Sequence, residues 1–403
     1  MGLLRYQPYQ GLYLLYNALS TIFIRAPIWF IHDLIPYFRP VPTWSLWKAL
    51  QVRFYRHAAA VSGRIGGLPI LNHTSLTSNQ QIKGLWVDAA PVDLIVDNLK
   101  TWVHIANVQA MPIPGYWLHK SPEVNVGAPP MPGEKVLYFL HGGGYTACSA
   151  HPSDFPSHII KGILRPGIAA TVQRSFAIEY RLTTLDPPEP KNPFPTALVD
   201  ALAGYVYLIT QVGFAAEDII VIGDSAGGNL GLALTTYLVE QQTLLPDNIR
   251  KPGHLVLLSP WTDMGQSHRL LPKTDSFYTC QSTDFIEDSY NVKETAFVGP
   301  HGLGAAEVNP YISPASKNTE AGHAGGAMRR VSYAKFPRTL ILGGGVEMLR
   351  DQIRTMAKRM EEVEAGVEFL EFSDSVHDWL ALGTEPDTGD ALGAIGQWMD
   401  KGV

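Results

Sequence analysis

The chain is poor in sulfur and in charge. Cys148 and Cys280 are its two cysteines among 403 residues. They make neither a CxxC pair nor a disulfide framework, which points to a reducing compartment while leaving one bridge open. Lys and Arg form no block, and the net charge is −6, so no phosphate-binding stripe exists and nucleic acid is not an expected partner. The phosphate loop G-x-x-x-x-G-K-[ST] is missing, as is any internal repeat. Charged residues make up 17% of the chain against 46% hydrophobic. That balance favours a folded globular protein, because disorder requires the reverse.

What is abundant, near the N-terminus, is apolar surface. Residues 11–38, "GLYLLYNALSTIFIRAPIWFIHDLIPYF", are rich in Leu, Ile, Phe, Tyr and Trp. The uncharged part, Tyr6–Ile24, contains Gln7, Gln10, Asn17 and Ser20, whereas a spanning helix needs about 20 predominantly apolar residues. It is also a poor signal peptide, having a broken apolar core and no strong cleavage site. Three readings stay open: helices that cap an active site, a membrane-surface or weak spanning anchor through 11–38, or a cleaved signal. Myristoylation is not indicated, because Tyr6 stands where Ser or Thr is needed. The expected location is intracellular, cytoplasmic or at the endoplasmic reticulum membrane. Asn72-His73-Thr74 is a lone glycosylation sequon, relevant only in a secretory lumen.

The Pro/Gly-rich joint "VGAPPMPGE" (126–134) divides the chain into an N-terminal region, 1–130, and a second domain, 131–403. Beyond the joint, apolar runs such as "KVLYFL", "DIIVIG", "HLVLL" and "RTLIL" alternate with helix-length segments, the pattern of βαβ units and a mostly parallel sheet. Residues 265–308 break that rhythm with Phe277, Tyr278, Phe285, Tyr290 and Phe297, and read as a cap-like insertion near the site.

"DIIVIGDSAGGNLGLALTTYL" (218–238) carries the chemistry. A β-type run meets Gly223-Asp224-Ser225-Ala226-Gly227, and an Ala/Leu-rich helix follows. This is a G-x-S-x-G elbow in its required context of strand, turn and helix, which makes Ser225 the expected nucleophile. Attack by a serine creates an oxyanion that needs donors fixed in advance. "HGGG" (141–144) ends another strand, and its glycines free backbone N–H groups to approach a substrate. His141 reads as an organiser of that loop and not as a base. Tyr145 reads equally as a pocket wall or a packed side chain.

With these motifs in this order, the chain resembles the hormone-sensitive-lipase group of α/β-hydrolases, with an N-terminal extension similar in style to some fungal members. "EYRLTTLDPPEPKNPFPTALVDALAGY" (179–205), "LLSPWTDM" (257–264), "NPYISP" (309–314) and "GGGVEMLRDQ" (343–352) resemble further landmarks of the group, so the likeness covers roughly 131–403. It implies an α/β-hydrolase fold, with a mostly parallel central sheet flanked by helices and a helical cap from the N-terminus and the insertion. It also implies hydrolysis of carboxylic esters through an acyl-enzyme on Ser225, with no cofactor and no metal. The implied oxyanion donors are the N–H groups of Gly143, Gly144 and Ala226, and the implied base is His377 in "SDSVHDWL".

The acid departs from the group's pattern, with Glu347 where Asp is usual and Met348 where Pro is usual. Glutamate serves the same task, holding the imidazole tautomer and stabilising imidazolium. Helical geometry separates it from its neighbour Asp351. Leu349, Ile353, Met356, Met360 and Val363 recur as a core-facing stripe. Asp351 falls on the other face with Arg354 and Lys358, while Glu347 precedes the helix at the sheet's carboxyl edge, where sites form. The expected triad is Ser225, Glu347 and His377, acting on a small and apolar ester. An acyltransferase or lactone-forming enzyme with the same triad, a non-catalytic small-molecule receptor, and a structural or membrane-scaffold role suggested only by the N-terminus remain as rivals.

Overall fold

The computed structural model describes residues 3–401 except 67–75, 77, 79–81, 122–124, 185–190, 271–272, 287–291, 320–330, 364–365 and 384–385. The sequon at 72–74 and Tyr290 therefore lie outside the described residues. Eight strands form one sheet: β1 (Lys83–Val87), β2 (Ile113–His119), β3 (Lys135–Leu140), β4 (Val172–Ile178), β5 (Ile219–Asp224), β6 (His254–Leu258), β7 (Arg338–Gly344) and β8 (Val367–Phe372). Their spatial order is β1-β2-β4-β3-β5-β6-β7-β8. Only β2 runs antiparallel to its neighbours, β1 and β4. From β4 to β8 every pairing is parallel.

The central strands β3, β5 and β6 are buried along their whole length, which is why they read as continuous apolar runs and not as alternation. Helices cover both faces, each over its own apolar cluster. β1 and β2 precede the Pro/Gly joint yet belong to this sheet. Residues 1–130 are therefore not separate from the catalytic layer, and the joint is only the connection from β2 to β3.

The N-terminal region builds two long helices, α1 (Tyr9–Asp33) and α2 (Leu46–Ile65). α1 opens into a wider π turn at Thr21–Arg25. Ser45 caps α2, accepting from the Lys48 N–H at 3.1 Å, and Gly66 ends it in left-handed conformation at φ 84°. α2 lies across the C-terminal part of the sheet: Trp44 Nε1 donates to the Asp374 carbonyl at 2.7 Å and Gln51 Nε2 to the Leu382 carbonyl at 2.9 Å. Lys48 pairs with Asp387. These contacts bracket His377, so both the cap and the sheet position the site.

α1 is inside out. Its buried residues are Asn17, Ser20 and Asp33, while Leu12, Leu15, Leu19, Ile22, Phe23 and Ile31 are exposed. Asp33 is fully buried and takes a two-point bond from Arg53 of α2, at 2.6 and 2.9 Å. Polar groups thus hold α1 to the body, and its apolar face points outward.

Candidate active site

Four loops at the carboxyl edge of the parallel strands converge, the last two as a pair. The first is the turn after β5. Ser225 sits there at φ 51°, ψ −116°, a conformation that costs a non-glycine residue about 1–3 kcal/mol. Neighbouring glycines make the turn possible. A Cβ on Gly227 would stand 1.9 Å from the Leu140 carbonyl oxygen, and one on Gly223 would stand 2.3 Å from the Gly227 oxygen. The turn is held by the Ser225 N–H donating to the Leu258 carbonyl and by the Ser225 carbonyl accepting from the Trp261 N–H, both at 2.9 Å. The helix α3 (Ala226–Glu240) starts at the next residue.

The second loop follows β3. Gly143 and Gly144 have φ of 105° and 62°, values that only glycine adopts freely. The Gly142 N–H donates to Asp224 Oδ1 at 2.9 Å, which ties this loop to the turn that carries Ser225. His141 is fully buried and stacked on Tyr180 at 4.2 Å, with Nδ1 2.8 Å from the Gly142 carbonyl; it organises the loop. Tyr145 is packed too, stacked on Phe297 at 4.1 Å and donating to Asn229 Oδ1 at 2.8 Å. Beside it is a void of only about 10 Å³, too small for a substrate group.

Asn229 joins the landmark segments. Its Nδ2 donates to the carbonyls of Trp261 and Ile312 at 2.8 and 2.9 Å, while its oxygen receives Tyr145. Gln352 Oε1 likewise accepts the N–H groups of Thr262 and Asp263 at 2.7 and 2.6 Å. Stretches far apart in sequence are thus locked together by hydrogen-bonded buried amides.

The third group comprises the loops after β7 and β8. Glu347 precedes the helix α4 (Arg350–Glu361) and is fully buried. Its Oε2 lies 3.3 Å from His377 Nδ1, and His377 Nε2 lies 2.9 Å from Ser225 Oγ. Burial pushes the Glu347 carboxyl up, against the pull of the His377 hydrogen bond. Burial also disfavours a charged His377, but Asp378 and Glu347 outweigh it and hold the imidazole well above 6.5. The arrangement offers an oxygen nucleophile, a base on it and a carboxylate behind the base.

The α4 stripe of Leu349, Ile353, Met356 and Met360 is buried, but Val363 is 40% exposed because the helix ends at Glu361. Asp351 differs from expectation as well. It is a latch and not simply a surface charge: its Oδ2 accepts the Ser276 N–H at 2.8 Å, and its own N–H donates to Ser276 Oγ at 2.9 Å. It thereby fastens the insertion to α4, while also pairing with Arg350 and Arg354.

Three residues were not singled out from the sequence. Asp378 Oδ2 is 3.1 Å from His377 Nε2, in a left-handed backbone at φ 46°. Lys293, from the insertion, stands over the oxyanion loop: a Cβ on Gly144 would come within 3.5 Å of its Nζ. Asp284 is fully buried, with Oδ2 accepting the Met348 N–H at 2.7 Å and Oδ1 accepting the N–H groups of Phe285 at 2.8 Å and His377 at 3.3 Å. One carboxylate thus binds both the loop of Glu347 and the loop of His377. An acid in an aromatic insertion gives no sequence signal of this. The left-handed Asp378, beside the histidine, was the more findable of the three.

Both cysteines are free thiols, and burial pushes each up. Among the described residues, no group of three or more His, Cys, Asp or Glu is arranged to hold a metal.

Comparison with known proteins agrees with this architecture. An acetyl-hydrolase of Streptomyces hygroscopicus is 28% identical over 248 residues, 61% of this chain and 68% of that one. The esterase LipU of Mycobacterium tuberculosis is 25% identical, over 66% of this chain and 77% of its own. Carboxyl esterase 2 of Tuber melanosporum superposes with a TM-score of 0.60 at 18% identity, covering 87% of this chain and 98% of that one. A family model described as the alpha/beta hydrolase fold matches residues 137–381, more than half of the chain. The chain belongs to the α/β-hydrolase family.

Proposed function

We propose that this protein is a serine esterase that cleaves carboxylic esters through an acyl-enzyme on Ser225, with His377 as general base and Glu347 as its partner. The contact that carries the reading is Ser225 Oγ to His377 Nε2 at 2.9 Å, with Glu347 Oε2 behind the ring at 3.3 Å. Relatives named as an acetyl-hydrolase and as an esterase support the same reaction class.

In the first half-reaction, Nε2 takes the Ser225 proton as Oγ adds to the ester carbonyl. The oxyanion faces the N–H groups of Gly143, Gly144 and Ala226, and each such donor is worth roughly 10²–10³ in rate. His377 then protonates the leaving alcohol. Water repeats the cycle and frees the acid. Throughout, Glu347 holds Nδ1–H and stabilises the imidazolium without taking its proton.

Ser225→Ala is expected to abolish release of p-nitrophenol from a p-nitrophenyl acyl ester while leaving thermal unfolding unchanged; retained turnover would overturn the assignment. Product analysis with added alcohol separates hydrolysis from acyl transfer.

The reading includes attachment to a membrane surface through α1. The stretch Tyr9–Asp33 is the one helix among the described residues long and apolar enough to cross a bilayer. Its buried polar face is bound to α2 by Arg53, which favours lying on the membrane over spanning it. An intracellular membrane fits the two free thiols.

A further inference from the structure

Between α1 and α2 runs an open groove of about 700 Å³, within the roughly 300–1,000 Å³ typical of small-molecule sites. One wall is Ile22, Ala26, Pro27, Trp29 and Phe30 of α1; the other is Trp47, Leu50, Gln51 and Phe54 of α2. The α2 residues recur at spacings of three, one and three, so they form a single helical stripe. Trp47 is 75% exposed and Phe54 52%, an unusual expense for aromatic side chains in water.

Tyr55 also lines the groove. That ring packs on Phe285 at 6.2 Å, and Phe285 faces the His377 ring at 6.1 Å. Two aromatic side chains, both only partly buried, therefore separate the groove from the catalytic histidine. From the groove side, α2 is also fixed to the insertion beside Asp284, where Arg56 donates to the Ser282 carbonyl at 2.7 Å.

Charge identifies what lies outside. Residues 1–66 carry seven Lys/Arg and one acid, Asp33, although the whole chain has a net charge of −6. Lys48 is buried against Asp387 and Arg53 pairs with Asp33; of the other five, Arg5, Arg56 and Arg64 are exposed. A basic segment with an outward apolar face fits the headgroups and upper acyl region of an anionic bilayer. It does not resemble the mixed polar rim of a protein interface.

Resting on the esterase reading, we propose that this groove is the lateral port through which an ester dissolved in an anionic membrane reaches Ser225. Its occupant is the hydrocarbon portion of the substrate, which slides between α1 and α2 and displaces the Tyr55 and Phe285 rings. The natural substrate class is then a membrane-resident apolar ester, and a short water-soluble ester reaches the serine without using the groove.

The test fills the groove from either wall in the full chain, with Leu50→Trp and, separately, Ala26→Trp. Each variant is assayed on p-nitrophenyl acetate in buffer and on 4-methylumbelliferyl oleate in phosphatidylcholine–phosphatidylserine vesicles, with co-sedimentation as a third readout. The port predicts that kcat/KM for the vesicle-borne ester falls about tenfold or more, while p-nitrophenyl acetate turnover stays within about twofold and co-sedimentation is unchanged. Wild-type cleavage of the vesicle-borne ester by both filled variants overturns the port. So does an equal loss on both esters, or a loss that merely follows loss of vesicle binding. If the unmodified protein leaves p-nitrophenyl acetate intact, the esterase reading itself fails, and the port with it.

Discussion

The Asp378 carboxylate lies 3.1 Å from His377 Nε2, the same nitrogen that stands 2.9 Å from Ser225 Oγ. A base must present a lone pair to the serine proton, yet the charge beside that lone pair favours the protonated ring. Burial opposes imidazolium, but Asp378 and Glu347 prevail, and the His377 pKa is raised well above 6.5. Because only neutral His377 accepts the proton, kcat/KM should rise with pH through that elevated value. Asp378→Asn keeps the side-chain shape in a backbone that asparagine tolerates, and removes the charge. Its acid limb is expected to move to lower pH, so that the variant holds more of its plateau activity at about pH 6 than the parent. A pH profile of p-nitrophenyl acetate hydrolysis that does not move would show that Asp378 exerts no such control.

Glu347 and Asp351 are four residues apart and are expected to behave oppositely. Glu347 has no solvent exposure and orients Nδ1 of His377. Glu347→Ala should lower kcat by roughly 10⁴, the scale on which a triad responds to a mis-held imidazole. Asp351→Asn retains an oxygen for the Ser276 N–H and weakens only partly exposed pairs with Arg350 and Arg354, worth about 0–1 kcal/mol. Turnover should be near that of the parent. The reverse ranking in steady-state kinetics would transfer the role of acid to Asp351.

Asp284 is expected to act as a positioning residue. Its two oxygens accept from Met348 and His377, so it sets the distance between the Glu347 and His377 loops without touching substrate. In Asp284→Asn, an NH₂ group faces one of those N–H donors. A lost buried bond of this kind costs about 1–3 kcal/mol, and kcat should drop roughly 10–100-fold with KM for a short ester little changed. A purely structural role would instead lower the melting temperature and leave kcat intact in the fraction that stays folded.

These three acids show how unevenly the site was legible. The turn of Ser225 and the glycine loop after β3 were readable because their constraints are local. Gly223 and Gly227 are set by the turn they make, and the strand before them by its unbroken apolar run. Glu347 was separable from Asp351 because helical periodicity assigns faces within a few residues. Asp284 acts over 64 and 93 positions of sequence, and no local pattern records such a reach. The inside-out α1 was ambiguous for a different reason: periodicity shows that a helix has two faces, and not which one meets the protein. β1 and β2 escaped notice because they are short segments whose place in the sheet is set by pairing, β2 with β4 and β1 with β2.

Gly227→Ala and Gly393→Ala make a matched pair for the backbone argument. At Gly227 the new methyl would stand 1.9 Å from the Leu140 carbonyl oxygen and 2.6 Å from that of His141. Both obstacles are backbone, at the entrance to the oxyanion loop, and no rotamer relieves them. Either α3 or that loop must retreat, so Gly227→Ala should lower both the melting temperature and the esterase rate, by several kcal/mol of combined strain on the overpacking scale of about 1–3 kcal/mol or more. Gly393 lies inside the helix Asp387–Asp400 with nothing within 4 Å of a new Cβ. There alanine removes glycine's backbone entropy, a gain of about 0.5–1 kcal/mol, and activity should not change. Thermal unfolding monitored alongside p-nitrophenyl acetate turnover checks both. Equal melting temperatures for the two variants would mean that the close approach at Gly227 is not what shapes the nucleophile turn.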